Sequence, residues 1–166
     1  MKRNHSLGVA LVMVVALAMI LAVTPTSTAV KPAEPVTVTG TLTLAGVVEG
    51  PTFRTADGNT FITMHSTWNV DGDLVGSFDC YPRATMFSTG ESFVADWGLY
   101  AVTYGDNEGT IRVRNTGWMG DGGLYHLDST IVGGGTGDLA KLRGHGSVDL
   151  NFNAGTAVYS FDVFWA

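Results

Sequence analysis

Three histidines, one cysteine and a few turn acids are the side chains, beyond the N-terminal segment, that could ligate a metal or move a proton. Zinc takes several ligands at short spacing, and His65, His126 and His145 form no close pair or H-x-H cluster. They read as isolated surface or rim histidines, and no metal site is expected. Asp71 and Asp73 flank Gly72, and Asp106 lies near Glu108. Such acids could hold calcium, but turns collect acids for conformational reasons, and solvated turns are the reading adopted. Cys80 is alone, so no intramolecular disulfide can form, and its place in an alternating apolar run makes it a small buried hydrophobe. A serine nucleophile would need a G-x-S-x-G elbow, which the chain lacks. Acid–base chemistry needs two carboxylates facing one cavity. Asp96 is the one strand acid with an inward option, its partner cannot be named, and no catalytic residue is assigned.

Glycines dominate one further stretch, 131–148, IVGGGTGDLAKLRGHGSV. Gly135-x-Gly137-x-x-Ala140 matches the dinucleotide pattern G-x-G-x-x-A, yet that fingerprint opens a long helix inside a βαβ unit, and here a strand pattern resumes within a few residues. No G-K-[ST] follows to hold a phosphate, and no cofactor is expected. The reading is structural instead. Gly133, Gly134 and Gly135 let the backbone leave a strand, Thr136 caps a helical turn, Asp138 sits near its positive end, Lys141 and Arg143 lie near its negative end, and Gly144 stops it. Leu139 and Leu142 share one face of that turn and must bury it.

The scaffold for these groups is a series of alternating strands. Val36, Val38, Leu42 and Leu44 alternate with Thr37, Thr39, Thr41 and Thr43, the period of a strand with one face in a core. A connection carrying Gly46, Gly50 and Pro51 leads to the Asp57-Gly58-Asn59 turn. A second strand, 60–70, sets Ile62, Met64, Trp68 and Val70 on one face, and Asp71-Gly72 closes a hairpin into a third, 73–81. Pro82 bends the chain before a short continuation, 84–87. The fourth strand, 92–104, is bulky on both sides, so its inward face stays open. Strands over 110–119, 124–132 and 147–153 follow, and the eighth runs from Ala157 to the end. An all-β fold is therefore expected: an antiparallel eight-stranded up-and-down β-barrel with a one-turn helical plug between strands six and seven. A sandwich is the alternative. The barrel is preferred because Phe161, Val163 and Trp165 carry apolar character to the last positions, as though the final strand were paired on both edges.

Lys2 and Arg3, the uncharged apolar run from Leu7 to Val23, and the small residues Ser27-Thr28-Ala29 predict a signal peptide over 1–29. An uncleaved membrane anchor is the alternative, since the run is near the short limit for spanning a bilayer. Residues 30–35 read as a linker and 36–166 as one domain, secreted or extracytoplasmic. Without Lys2 and Arg3, seven basic residues face fifteen acidic ones, a net charge of −8, which argues against nucleic acid as a partner. Charged residues make up 14% of the chain against a usual figure of about 25%, which suits a turn-rich all-β protein.

At GGGTGDLAKLRGHG the chain resembles the allene oxide cyclase-like barrel superfamily, in which a G-G-T-G-x-[LF]-x-x-x-x-G turn joins two strands of an eight-stranded barrel. Plant dirigent proteins and a group of bacterial barrels share that turn. Gly72-Asp73-Leu74-Val75-Gly76 is similar to the bacterial G-D-x-x-G hairpin. The strand from Tyr159 is similar to the closing Y-x-x-D-Y segment, with Val163 in place of the second tyrosine. The resemblance implies an apolar lumen, which in the cyclases shapes a fatty-acid epoxide with help from a glutamate and a water. Glu49 and Glu91 both fall near turns, so that step is not carried over.

The leading expectation is a binding module that takes a small apolar or aromatic molecule into its lumen, lined by Met64, Trp68, Tyr125, Phe152, Tyr159, Phe161 and Trp165, with Asn115, Tyr125 and Tyr159 able to orient a polar end. A cyclase or isomerase acting on a lipid-like substrate is the second, favoured if the cavity holds a carboxylate. A surface scaffold that forms homo-oligomers is the third.

Overall fold

The computed structural model of the chain describes residues 34–166. The expected signal peptide, 1–29, and most of the linker, 30–35, lie outside the described residues. Nine strands follow one another: β1 (Val36–Ala56), β2 (Asn59–Gly72), β3 (Val75–Cys80), β4 (Arg83–Met86), β5 (Ser92–Tyr104), β6 (Asn107–Met119), β7 (Leu124–Gly137), β8 (Leu142–Asn151) and β9 (Thr156–Trp165). All pairings are antiparallel, and β1 is bonded to both β2 and β9, so the sheet closes into a ring of eight staves. β3 and β4 together form one stave between β2 and β5. β3 meets 66–70 of β2 and β4 meets 60–63. The break falls at Tyr81-Pro82, where proline has no N–H to give a ladder. Both neighbours stay attached across it: the Tyr81 N–H donates to the Trp97 carbonyl at 3.0 Å, and the Pro82 carbonyl accepts from the Met64 N–H at 3.3 Å.

Period-two alternation now has a direction on every stave. On β5, Ser92, Val94, Asp96, Gly98, Tyr100 and Val102 are buried, and Trp97 is exposed on the other side. The inward face of this strand, which bulky residues on both sides had hidden, is the one with the smaller side chains at its first half.

Two expectations are corrected. The stretch carrying Gly46, Gly50 and Pro51 is strand rather than connection. β1 continues to Ala56 because register shifts at Leu44/Gly46, Val47/Glu49 and Glu49/Thr52 absorb the irregular residues as bulges. The glycines at 133–135 do break the ladder, with Gly134 at φ 96° and a register shift between Thr110 and Arg112, but as a bulge and not an exit, since β7 runs on to Gly137 with Thr136 opposite Thr110. The Thr136 hydroxyl lies 2.9 Å from that of Thr110, so it caps nothing. The helical turn is a 3-10 turn, Asp138–Lys141, capped by Gly137 at φ 61°, and Gly144 lies beyond its end, inside β8 and opposite Val163. What the turn does is as expected. Leu139 and Leu142 are fully buried, and the Arg143 guanidinium donates to the carbonyls of Ala140 at 3.0 Å and Leu142 at 2.7 Å.

This plug and the β2–β3 hairpin, whose Leu74 is fully buried, close the same end of the barrel. Behind them the interior is filled by aromatic rings. Phe78 stacks on Tyr100 with centroids 4.1 Å apart, Tyr159 stacks on Phe161 at 5.3 Å, and Tyr100 meets Phe161 edge-on at 6.4 Å. The Tyr159 hydroxyl accepts a hydrogen bond from the Leu74 N–H at 3.1 Å and lies 3.3 Å from the Leu74 carbonyl, which ties the hairpin to β9. These rings fit because inward-facing glycines leave room. Gly40 is the cross-strand partner of Tyr159, and a Cβ there would collide with the Tyr159 ring and the Asp71 carbonyl.

Gly40→Ala should therefore destabilise the fold by about 1–3 kcal/mol in urea unfolding, as overpacking does. Gly46→Ala, where a Cβ meets nothing, should stay within about 0.5 kcal/mol. Equal effects would mean that the rings do not depend on the glycine slots.

Candidate functional site

The opposite end of the barrel is not filled. Alternation brings Met64, Ser66 and Trp68 of β2, Cys80 of β3, Ala84 and Met86 of β4, Ser92, Val94 and Asp96 of β5, and Tyr125 of β7 onto one internal wall. They enclose a cavity of about 270 Å³, near the lower bound of usual ligand pockets. A wider cleft of about 870 Å³ adjoins it at the rim and shares Met119, Tyr125 and Leu150. Exposed Met86 and Phe152 line the cavity, and exposed Trp118, which stacks on Phe87, and Leu124 line the adjoining cleft. The two polar pairs in the wall are internal. The Trp68 indole N–H donates to Ser66 Oγ at 3.0 Å, and the hydroxyls of Ser92 and Tyr125 lie 3.2 Å apart.

At the floor lies a polar ladder across three staves. Asp96 faces Asn115 of β6, which faces Ser129 of β7. Asn115 Nδ2 donates to Asp96 Oδ1 at 2.5 Å, and Ser129 Oγ donates to Asn115 Oδ1 at 2.6 Å. All three side chains are buried. Burial raises the Asp96 carboxyl from its ordinary 3.8 to about 6, while hydrogen bonds from Asn115 and the Cys80 thiol hold it back from rising further. Burial and the neighbouring Asp96 charge push the Cys80 thiol up, so it stays protonated and unreactive. Asp96 is thus the inward strand acid that the sequence suggested, and its partners are an amide and a thiol, not a second carboxylate.

The sequence-chosen residues divide between two levels of the barrel. Met64, Trp68, Tyr125 and Phe152 line the cavity. Asn115 sits behind Asp96 and reaches the cavity only through it. Tyr159 and Phe161 are fully buried in the packed half, and Trp165 is 38% exposed at the end of β9, opposite Leu142. None of these three lines the cavity, because alternation tells which face a residue is on but not how far along the barrel axis it lies. Ser66, Cys80, Ser92 and Val94 were missed as wall residues. Their small size at inward positions was the available signal. The histidines stay outside this site: His65 stacks on Tyr81 on the outer wall, with centroids 4.2 Å apart, and exposed His126 pairs with Asp149 at 2.6 Å.

The family model described as a protein of unknown function, DUF3224, matches residues 38–163. No curated protein matches the chain. Among solved structures, the crystal structure of a protein with unknown function from the DUF3224 family of Shewanella oneidensis MR-1 is similar, with a TM-score of 0.64 and 20% identity over 80% of this chain and 98% of that one. At that identity the likeness shows the fold alone.

The raised Asp96 pKa has a definite sign in stability. Between about 6 and 3.8 the folded protein holds a proton at Asp96 that the unfolded chain releases, so stability from this group rises as the pH falls. Above about 6 the cost of the buried charge is fully present, on the order of 3 kcal/mol. The His126–Asp149 pair acts in the same direction, because a raised histidine pKa adds stability that is lost as the pH rises through it. Asp96→Asn keeps that pair and removes the carboxyl. Its stability relative to the parent should be greatest near pH 8 and decline steadily towards about pH 4, read from unfolding midpoints. Parallel profiles would mean that Asp96 does not titrate in this range.

Proposed function

The chain belongs to the DUF3224 family, and from that premise we propose that its half-filled barrel binds a small apolar or aromatic molecule in the open end of the lumen. The observation that carries this reading is the cavity of about 270 Å³ above the Asp96 ladder, with exposed Met86 and Phe152 in its lining and Trp118 and Leu124 in the cleft that adjoins it. Side chains of an ordinary core close such spaces, since voids cost stability. Here Ser66, Cys80, Ala84, Ser92 and Val94 stand among the larger Met64, Trp68, Met119 and Tyr125 in the wall, and these small side chains leave the space open. Exposed apolar residues gathered at one opening give an apolar molecule its way in. The proposal extends to kinship with the allene oxide cyclase-like barrels, supported by the GGTG stretch and an apolar lumen, and to action outside the cytoplasm, supported by the leader-like 1–29.

A second reading is favoured by one observation. The cavity contains a carboxyl whose pKa of about 6 lets it give or take a proton near neutrality, as an isomerase or cyclase requires. In that case Asp96 would move the proton, Asn115 would orient it, and the lumen would hold the substrate in one reactive shape.

Trp68, buried in the cavity wall, reports on occupancy. Naphthalene-2-methanol or 1-dodecanol should change tryptophan emission and saturate at one molecule per chain. Val94→Trp places a large ring where Val94 lines the cavity and should abolish the change while unfolding stays cooperative. Absence of saturable binding by such compounds, or binding that survives Val94→Trp, would reject the lumen as the site and favour a scaffold role. The catalytic reading requires in addition that Asp96→Asn binds substrate but does not turn it over.

A further inference from the structure

We propose that the open half of the lumen is built for a hydrophobic amine, whose protonated nitrogen pairs with Asp96 while its carbon skeleton lies among Met64, Met86, Met119 and Trp68. This rests on the lumen-binding reading and names the class of ligand. Among the described residues, Asp96 is the only charged side chain lining the cavity, and no lysine, arginine or histidine lines it. The groups that face Asp96 are neutral donors: Asn115 of β6 and the Cys80 thiol of β3. The other titratable groups nearby are phenols, Tyr100 on its own strand and Tyr125 across the cavity, and burial pushes Tyr100 up as well. The charged pair on the adjoining rim cleft, His126 and Asp149, satisfies itself. At neutral pH the cavity therefore holds an anion with no cation of its own.

A ligand ammonium would supply that cation. Burial has already removed much of the carboxylate's hydration on folding, so less of it is given up on binding, and a charge-assisted hydrogen bond in a low-dielectric site is a strong one. The surrounding wall suits a cation too, because an indole face and thioether sulfurs are polarisable and electron-rich. A carboxylate ligand would meet the Asp96 charge, and a neutral ligand would leave it unpaired. The acidic balance of the whole chain, fifteen acids against nine bases, draws cations and repels anions at longer range.

Three ligands of one shape test this by titration calorimetry: naphthalene-2-methylamine, naphthalene-2-methanol and naphthalene-2-carboxylate. At about pH 7 the amine should bind at least about tenfold more tightly than the alcohol, and the carboxylate should bind most weakly. Between about pH 7 and pH 5, where the amine stays protonated and Asp96 does not stay ionised, amine affinity should fall about tenfold and alcohol affinity should hold. Asp96→Asn should reduce the amine to the level of the alcohol without weakening the alcohol. If that variant does not fold, the pH comparison on the parent protein decides. Saturable binding of all three with no preference for the amine, or a preference that is independent of pH and of Asp96, overturns the amine proposal and leaves the lumen reading standing. No saturable binding by any of the three removes both.

Discussion

The interior of an eight-stave ring is narrow, and the way its cross-section is shared between rings and glycines governs the rest of this molecule. In the closed half, Tyr159 lies against Gly40, Phe78 against Gly98 and Phe161 against Gly146, and a single methyl group at any of these glycines would meet a ring or a carbonyl. The aromatic side chains can therefore lie across the lumen, and the plug leucines cover them. Towards the mouth the pattern changes. Ser66, Cys80, Ser92 and Val94 take several of the inward positions beside Met64, Trp68 and Tyr125 and leave a gap between them, so the same ring that is solid at one end is hollow at the other.

The polar ladder marks the floor between the two halves. Three side chains on three adjacent staves form it, and each pair is directly opposed across its strands, so the ladder exists only in one register of β5, β6 and β7. A slip of one residue would turn Asp96 to the outside and bring a bulky neighbour in. The buried carboxylate is destabilising by itself, and its hydrogen bonds recover only part of what burial costs. A charge kept at such a cost, in the wall of an internal cavity, is the physical pattern of a functional group more than of a structural one.

Much of this could be read in the residues, and what could not has a geometric cause. Period-two alternation identified the staves and the last strand, proline's missing N–H the break at Pro82, and the three-residue spacing of Leu139 and Leu142 the buried face of the plug. It also assigned Met64 and Trp68 to the inside. Alternation reports the radial direction and nothing about the axial level, which is why Tyr159 and Phe161 lie beneath the cavity floor instead of in its wall. It fails where both faces are bulky, as on β5, because closure of the ring decides the inward side there. Glycine and proline were read as ends of strands. In β1 bulges absorb them, and in β7 the glycines make a bulge, with Gly134 at φ 96°, before pairing with β6 resumes at Thr136.

The seam between β1 and β9 has a consequence in time. Val36 pairs with Val163 and Thr43 with Thr156, so the ring is sealed by contacts between the first and last strands of the barrel. Closing loops of that length is slow, and a chain dominated by such pairings belongs among the slower-folding topologies. Until the last strand docks, β1 and β8 each present an open edge, and the Tyr159 and Phe161 rings are missing from the interior. Hairpins and ladder can assemble earlier, but the aromatic packing beneath the ladder cannot. The packed half beneath the hollow is thus complete only once β9 joins β1 to β8.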